Sequence, residues 1–339
     1  MKAAIFHGKE NMKVEEVESP KAKHNEVLVE VEACGICGTD VHILKGEYPV
    51  NGPLILGHEA SGRIVEVGKE VETLKVGDSV AIDPNIFCGK CYFCRIGEAH
   101  LCRNLKAVGV TRNGAFAEYV AVPEENLYKL PKNVSYEEAA LAEPLSCCIH
   151  GVDLAQIKSG DTVVVLGAGP IGLLHTQLVR ILGASKVTTI TGHNEEKLAF
   201  ARKLGADDTI NASLEDPVSK VRASSSGIGA DVVVEATGNP VAVEQAIKMA
   251  RRGGRVIIFG CAPEKAKIEV SPYIINDSEL MIFGAFNNPY TMSRAIRLIG
   301  SGKIKTKHLI SHEFGLDNIL KAFETIRSGT LYLKILVKP

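Results

Sequence analysis

The chain has 339 residues, which is long for one ordinary hydrophobic core and favours two domains. Hydrophobic residues make up 45% and charged residues 23%, with 39 basic against 40 acidic side chains and a net charge of −1. That balance excludes a basic field for nucleic acid, and the longest apolar runs, such as Thr162 to Leu166, are far too short for a membrane span. The opening Met1-Lys2-Ala3-Ala4-Ile5-Phe6-His7 is broken by charge before a secretory apolar region forms. The expectation is a cytoplasmic protein whose nine cysteines are reduced thiols.

From Met1 to about Leu145 short strands alternate with turn signals. Examples are Glu26 to Val31, Gly62 to Gly68 and Asp78 to Ile82, with Gly57, Gly62, Gly68 and Gly77 as punctuation. The pattern predicts an antiparallel β domain over 1–145, closed as a compact barrel. Within it, Cys37 lies in Gly35-Ile36-Cys37-Gly38-Thr39-Asp40-Val41-His42, and His58-Glu59 follow Gly57. Glu143-Pro144 comes at the end of the stretch. One sulfur, one imidazole and one or two carboxylates would make a mixed metal site with room for water or substrate, as catalytic zinc needs. Cys34 and Cys37 also spell C-x-x-C, a redox-pair reading that ranks low without a thioredoxin-like setting.

Cys88, Cys91, Cys94 and Cys102 crowd into fifteen residues beside Gly89 and Gly97. Four thiolates on one short loop close a tetrahedron around a structural zinc, and an iron–sulfur cluster is the competing reading. Zinc fits better. Cys147, Cys148 and Cys261 carry no motif and read as small buried hydrophobes.

Over 146–283 the rhythm changes to strand–helix alternation. Val163 to Leu166 is followed by Gly167-Ala168-Gly169-Pro170-Ile171-Gly172 and an apolar helix through about Leu182. Lys186 to Thr191, Asn194 to Leu204 with Asn194 as cap, Asp231 to Glu235, Val241 to Arg251 and Gly254 to Gly260 continue the alternation. Such repetition predicts a parallel sheet wound on both faces. The glycine loop sits in the strand–loop–helix context of a dinucleotide site: Gly167 for the turn, Gly169 for the pyrophosphate, Gly172 for close packing. Pro170 and Ile171 open the helix whose N-terminus faces the phosphates. Thr237, just past the third of these strands, joins the candidate cofactor contacts.

An NAD site places a carboxylate at the end of the second strand to hold the ribose. Here that position, 25 residues after Gly167, is Gly192. A 2′-phosphate is therefore not repelled, and His193, Asn194 and Lys197 are available to bond it. NADP is the favoured cofactor, with NAD the alternative. The last stretch, 284–339, holds two helical patterns and a final strand from Tyr332 to Val337. It is too short to be a domain, which implies a return to the first one.

Taken in order, these segments resemble the medium-chain zinc-dependent dehydrogenase family over essentially the whole chain. The Glu143-Pro144-Leu145-Ser146 segment is most similar to the sorbitol dehydrogenase-like branch. The resemblance implies a GroES-like β-rich catalytic domain around a Rossmann coenzyme domain. It implies Cys37, His58 and Glu59 as catalytic-zinc ligands, with Glu143 either a further ligand or a hydrogen-bonding partner of zinc-bound water. Thr39 would accept the substrate proton, His42 would pass it to solvent, and Asp40 would orient His58. The implied reaction moves a hydride between a secondary alcohol of a polyol or sugar and NAD(P), and the implied assembly is a homodimer or homotetramer. Sorbitol dehydrogenases carry Phe-Arg where this chain has Phe286-Asn287-Asn288-Pro289, which implies a pocket that is less basic but still rich in hydrogen-bonding groups. L-Threonine or a vicinal diol is the alternative substrate. A zinc-independent reductase or structural relative is the alternative of another class, disfavoured because Cys37 and His58 are both present.

Overall fold

A computed structural model describes residues 1–328 and 331–339, which divide into Met1–Ser146 with Asn288–Pro339 and, separately, Cys147–Asn287. The first unit is built on the strand Glu26–Gly35. It pairs antiparallel with Glu59–Val67, with Tyr119–Pro123 and, near its end, with Lys334–Lys338. Ser79–Ile82 and Leu127–Lys129 extend the sheet on one side, and Ile310–Gly315 runs parallel to Lys334–Lys338 on the other. Val27, Val29, Val31, Ile64, Val80, Ile82, Phe116 and Phe323 fill its interior. The valines and isoleucines among them come from strands, at alternate positions in Glu26–Gly35 and Ser79–Ile82, which is how one face of a pleated sheet is buried. Phe116 comes from a loop and Phe323 from the helix Ile319–Arg327. Two register shifts, between Leu28 and Val29 and between Val31 and Ala33, bend the long strand. Its last residue, Gly35, pairs with Glu59.

The second unit is a six-stranded parallel sheet. Its spatial order is Asp208–Asn211, Lys186–Thr191, Thr162–Leu166, Ala230–Glu235, Ala250–Ile258 and Met281–Gly284. Order reverses beside Thr162–Leu166, the switch point at which ligands bind in open α/β sheets. The strand Asp208–Asn211 carries no clear sequence signal, whereas the helix Pro217–Ser224 announces itself only by Asp216 as cap and Pro217 as first residue. Only Ile210 of that edge strand is fully buried, so no apolar alternation marks it. No helix among the described residues is long and apolar enough to cross a membrane.

Candidate active site

Three candidate ligands converge in the first unit. One donor atom each from Cys37, His58 and Glu59 lies within 4.8 Å of the others. Cys37 is the cap of the helix Gly38–Leu44, His58 follows the turn at Gly57, and Glu59 opens the strand Glu59–Val67. Gly57 has a φ of +88°, and a Cβ there would stand 2.7 Å from the Phe116 ring, so the turn that delivers His58 needs glycine. Asp40 joins these pieces. Fully buried, it accepts from the Cys37 N–H at 2.9 Å through Oδ2 and from the Gly57 N–H at 3.3 Å through Oδ1. The same Oδ1 lies 3.6 Å from His58 Nδ1.

The donor set fits a divalent metal. His58 and Glu59 are buried, and a thiolate with two carboxylates concentrates negative charge in a site of low polarity. Burial disfavours a charged His58, but the charges of Asp40 and Cys37 outweigh it and hold its basicity well above the ordinary value. The pocket favours a cation, and mixed sulfur, nitrogen and oxygen donors suit zinc. Glu143, in the first turn of the helix Ala142–Ala155, is also buried but is not among the three groups whose donors converge. Thr39 Oγ1 lies 3.7 Å from Cys37 Sγ. His42, partly exposed, has Nδ1 2.6 Å from Glu47 Oε2.

The four-cysteine loop forms a second cluster. Cys91 Sγ lies 3.5 Å from Cys94 Sγ and 3.8 Å from Cys102 Sγ. Tetrahedral zinc with 2.3 Å bonds separates its sulfurs by about 3.8 Å. Backbone N–H groups of Lys90 and Cys91 bring the Cys88 thiol down to about 6. Those of Cys94 and Arg103 lower Cys91, despite opposition from burial. Preformed donors to thiolates suit a closed structural site.

In the second unit the glycine loop runs from the strand Thr162–Leu166 into the helix Pro170–Ile181, with Gly169 as cap and Pro170 as first residue. Gly167 has a φ of +113°, and a Cβ at Gly172 would collide with its carbonyl. At Gly169 and at Gly192 a Cβ would meet nothing within 4 Å, so both border open space, as a dinucleotide cradle requires. His193 is exposed, while Asn194 uses Oδ1 to accept from the Lys197 N–H at 3.0 Å. Lys197 is half-buried, and burial lowers its basicity. Thr237 stands above Gly167, positioned by the buried Glu235 carboxylate, which accepts from the Thr237 N–H at 2.6 Å and the Gly238 N–H at 3.0 Å.

One expectation needs correction: Cys148 is buried, but Cys147 is only partly so and Cys261 is exposed. Asn288, in the segment that stands where sorbitol dehydrogenases have Phe-Arg, is fully buried, and its Oδ1 accepts from Asn85 Nδ2 at 2.5 Å. Two charged residues also escaped sequence reading: Glu235, and Lys334, whose ammonium pairs with Glu59. Each interrupts or ends an apolar strand run, Val232-Val233-Val234-Glu235 and Leu333-Lys334-Ile335-Leu336-Val337. A lone charge in such a run is the signal that could have found them.

Comparison with known proteins bears on the whole chain. The model of the alcohol dehydrogenase GroES-like domain matches residues 23–132, and that of the zinc-binding dehydrogenase matches residues 170–301. The chain is 35% identical to a sorbitol dehydrogenase of Bacillus subtilis, with 100% of this chain and 97% of the relative covered. It is 40% identical to an L-threonine 3-dehydrogenase of Pyrococcus horikoshii, covering 93% and 91%. Among solved structures, a putative zinc-binding dehydrogenase from Sinorhizobium meliloti bound to NADP superposes with a TM-score of 0.96. It shares 40% identity and covers 100% of this chain and 99% of its own.

Proposed function

This chain belongs to the medium-chain zinc-dependent alcohol and polyol dehydrogenases, and on that premise we propose that it oxidises a secondary hydroxyl of a neutral polyol or sugar with NADP as acceptor. The observation that carries the reading is the Cys37, His58 and Glu59 convergence, which offers a metal three donors and leaves a fourth position for substrate. Zinc held there would lend Lewis acidity to the substrate hydroxyl, and the nicotinamide would take up the hydride.

The chain's own residues do the rest. Asp40 fixes the two turns that carry Cys37 and His58, so the donors need no rearrangement to bind metal. Thr39, beside Cys37, accepts the substrate's proton, and His42 relays it outward, its ring partly exposed and paired with Glu47. Glu143 would serve as a hydrogen-bonding carboxylate or an additional ligand. In the second unit, the Gly167–Gly172 turn and the helix beginning at Pro170 receive the pyrophosphate. Open space at Gly192 and the absence of a carboxylate there favour a 2′-phosphate, which His193 and Lys197 would bond. The Sinorhizobium meliloti structure bound to NADP supports that preference.

The assembly we propose is a homodimer or a homotetramer, and nine free thiols with four arranged for metal favour the cytoplasm. The threonine dehydrogenase relative supports L-threonine, or a vicinal diol, as the second substrate reading. Steady-state rates of the zinc-loaded protein with pentitols, hexitols, aldoses, L-threonine and 2,3-butanediol, each with NADP and NAD, test all of this. Highest kcat/KM with a polyol and NADP is expected. A clear preference for L-threonine, or for NAD, would replace the corresponding part of the proposal.

A further inference from the structure

The candidate metal cluster contains a buried cation that the proposed chemistry does not use. Lys334 begins the strand Lys334–Lys338 and is 5% exposed. Its Nζ pairs with Glu59 Oε2 and donates to the Ile36 carbonyl at 2.9 Å. Room for the pair comes from Gly35, where a Cβ would collide with the Glu59 carboxylate and stand 2.7 Å from Lys334 Cε. Three strands of the sheet thus deliver a glycine, a carboxylate and an ammonium to one point.

A buried ammonium is costly unless paired, and here its partner is one of the three candidate ligands. With a metal bound, one carboxylate would serve two cations. Carboxylates bind metals through one oxygen or through both, and a lysine holding Oε2 takes up part of that oxygen's capacity and favours binding through the other. The charges also balance. Cys37 as thiolate, Glu59 and Asp40 supply three negative charges, against a divalent metal and Lys334. Without Lys334, the metal would be the only cation left for Glu59.

We propose that Lys334 is a positioning residue that restrains Glu59: by holding one carboxylate oxygen it weakens the Glu59–metal bond and keeps a coordination position exchangeable for substrate. The inference rests on the reading of Cys37, His58 and Glu59 as catalytic-zinc ligands.

The test uses the full-length zinc-loaded protein and its Lys334→Met and Lys334→Arg variants. Zinc content, the rate of zinc transfer to a chromogenic chelator, and the visible absorption of protein exchanged with Co²⁺ are measured beside kcat and KM. Wild type should hold two zinc ions per chain and Cys37→Ser only one, which secures the underlying reading. Lys334→Met should then release the Cys37-dependent zinc roughly tenfold more slowly, with a shifted Co²⁺ band and a kcat lowered by a similar factor. Lys334→Arg, which keeps the charge, should return all three towards wild type. Lys334→Gln retains a donor to the Ile36 carbonyl and serves where the methionine variant does not fold. Unchanged or faster zinc release with an unchanged Co²⁺ band in the neutral variants would overturn the proposal. A wild type holding only the zinc of the four-cysteine loop would overturn the ligand reading itself, and the proposal with it.

Discussion

Asp40 does two jobs with one carboxylate: it holds the backbone of the two ligand-bearing turns and lies beside His58. Single residues elsewhere decide the chemistry as sharply. Gly192 borders open space, so an aspartate fits there without a clash. Gly192→Asp should lower kcat/KM with NADP at least tenfold, about 1.4 kcal/mol, by repelling the 2′-phosphate, and should leave NAD turnover within a few-fold. Equal losses with both cofactors would show that residue 192 does not face the ribose. Asp83 illustrates the cost of a buried acid. Burial outweighs the bonds it accepts and raises it from 3.8 to about 6. The folded state resists its ionisation, so the penalty is absent below about pH 4, grows towards pH 6 and is constant above. Asp83→Asn should therefore stabilise the protein by about 1–3 kcal/mol at pH 7.5 and by much less at pH 4.5, read from denaturant unfolding at both.

At the scale of elements, the four-cysteine loop is the part of the chain least able to hold itself together. Between Cys88 and Cys102 only Ala99 and Cys102 are buried, while Tyr92, Ile96 and Leu101 are exposed. Metal must replace the missing core. The loop is anchored at its base, where Asn85 bonds Asn288 and Phe87 meets Tyr290 edge to face at 5.6 Å. Cys91→Ser should remove one zinc per chain and cost about 2–4 kcal/mol. Limited proteolysis should then cut between residues 88 and 102, and an uncut loop would mean that packing alone holds it. Asn288, within the Phe286 to Pro289 segment, and the neighbouring Tyr290 brace this loop in the fold.

For the whole molecule, the strand Met281–Gly284 ends the parallel sheet with one edge unpaired among the described residues, and Met281 and Phe286 are exposed. An open apolar edge is a template for another strand, and a second copy of this chain is the partner we propose. Met281→Lys with Phe286→Lys should convert the oligomer to smaller species by light scattering. A monomeric wild type would remove the idea. The sequence alone carried the strand–helix alternation of the parallel dinucleotide sheet, the short strands of the β domain, the four-cysteine spacing and the glycine turn, because each depends on local spacing or on apolar periodicity. The GroES-like fold and the Cys37, His58 and Glu59 ligand set came from the resemblance of the ordered motifs to the dehydrogenase family. Tertiary structure alone decided that Glu59 shares its carboxylate with Lys334, that Asn288 turns inward to Asn85, and that Glu235 supports Thr237. Those partners are 275, 203 and 2 residues apart. The first two pairings arise only when distant strands and loops meet. The third is short in sequence but depends on burying a charge, which no local pattern announces.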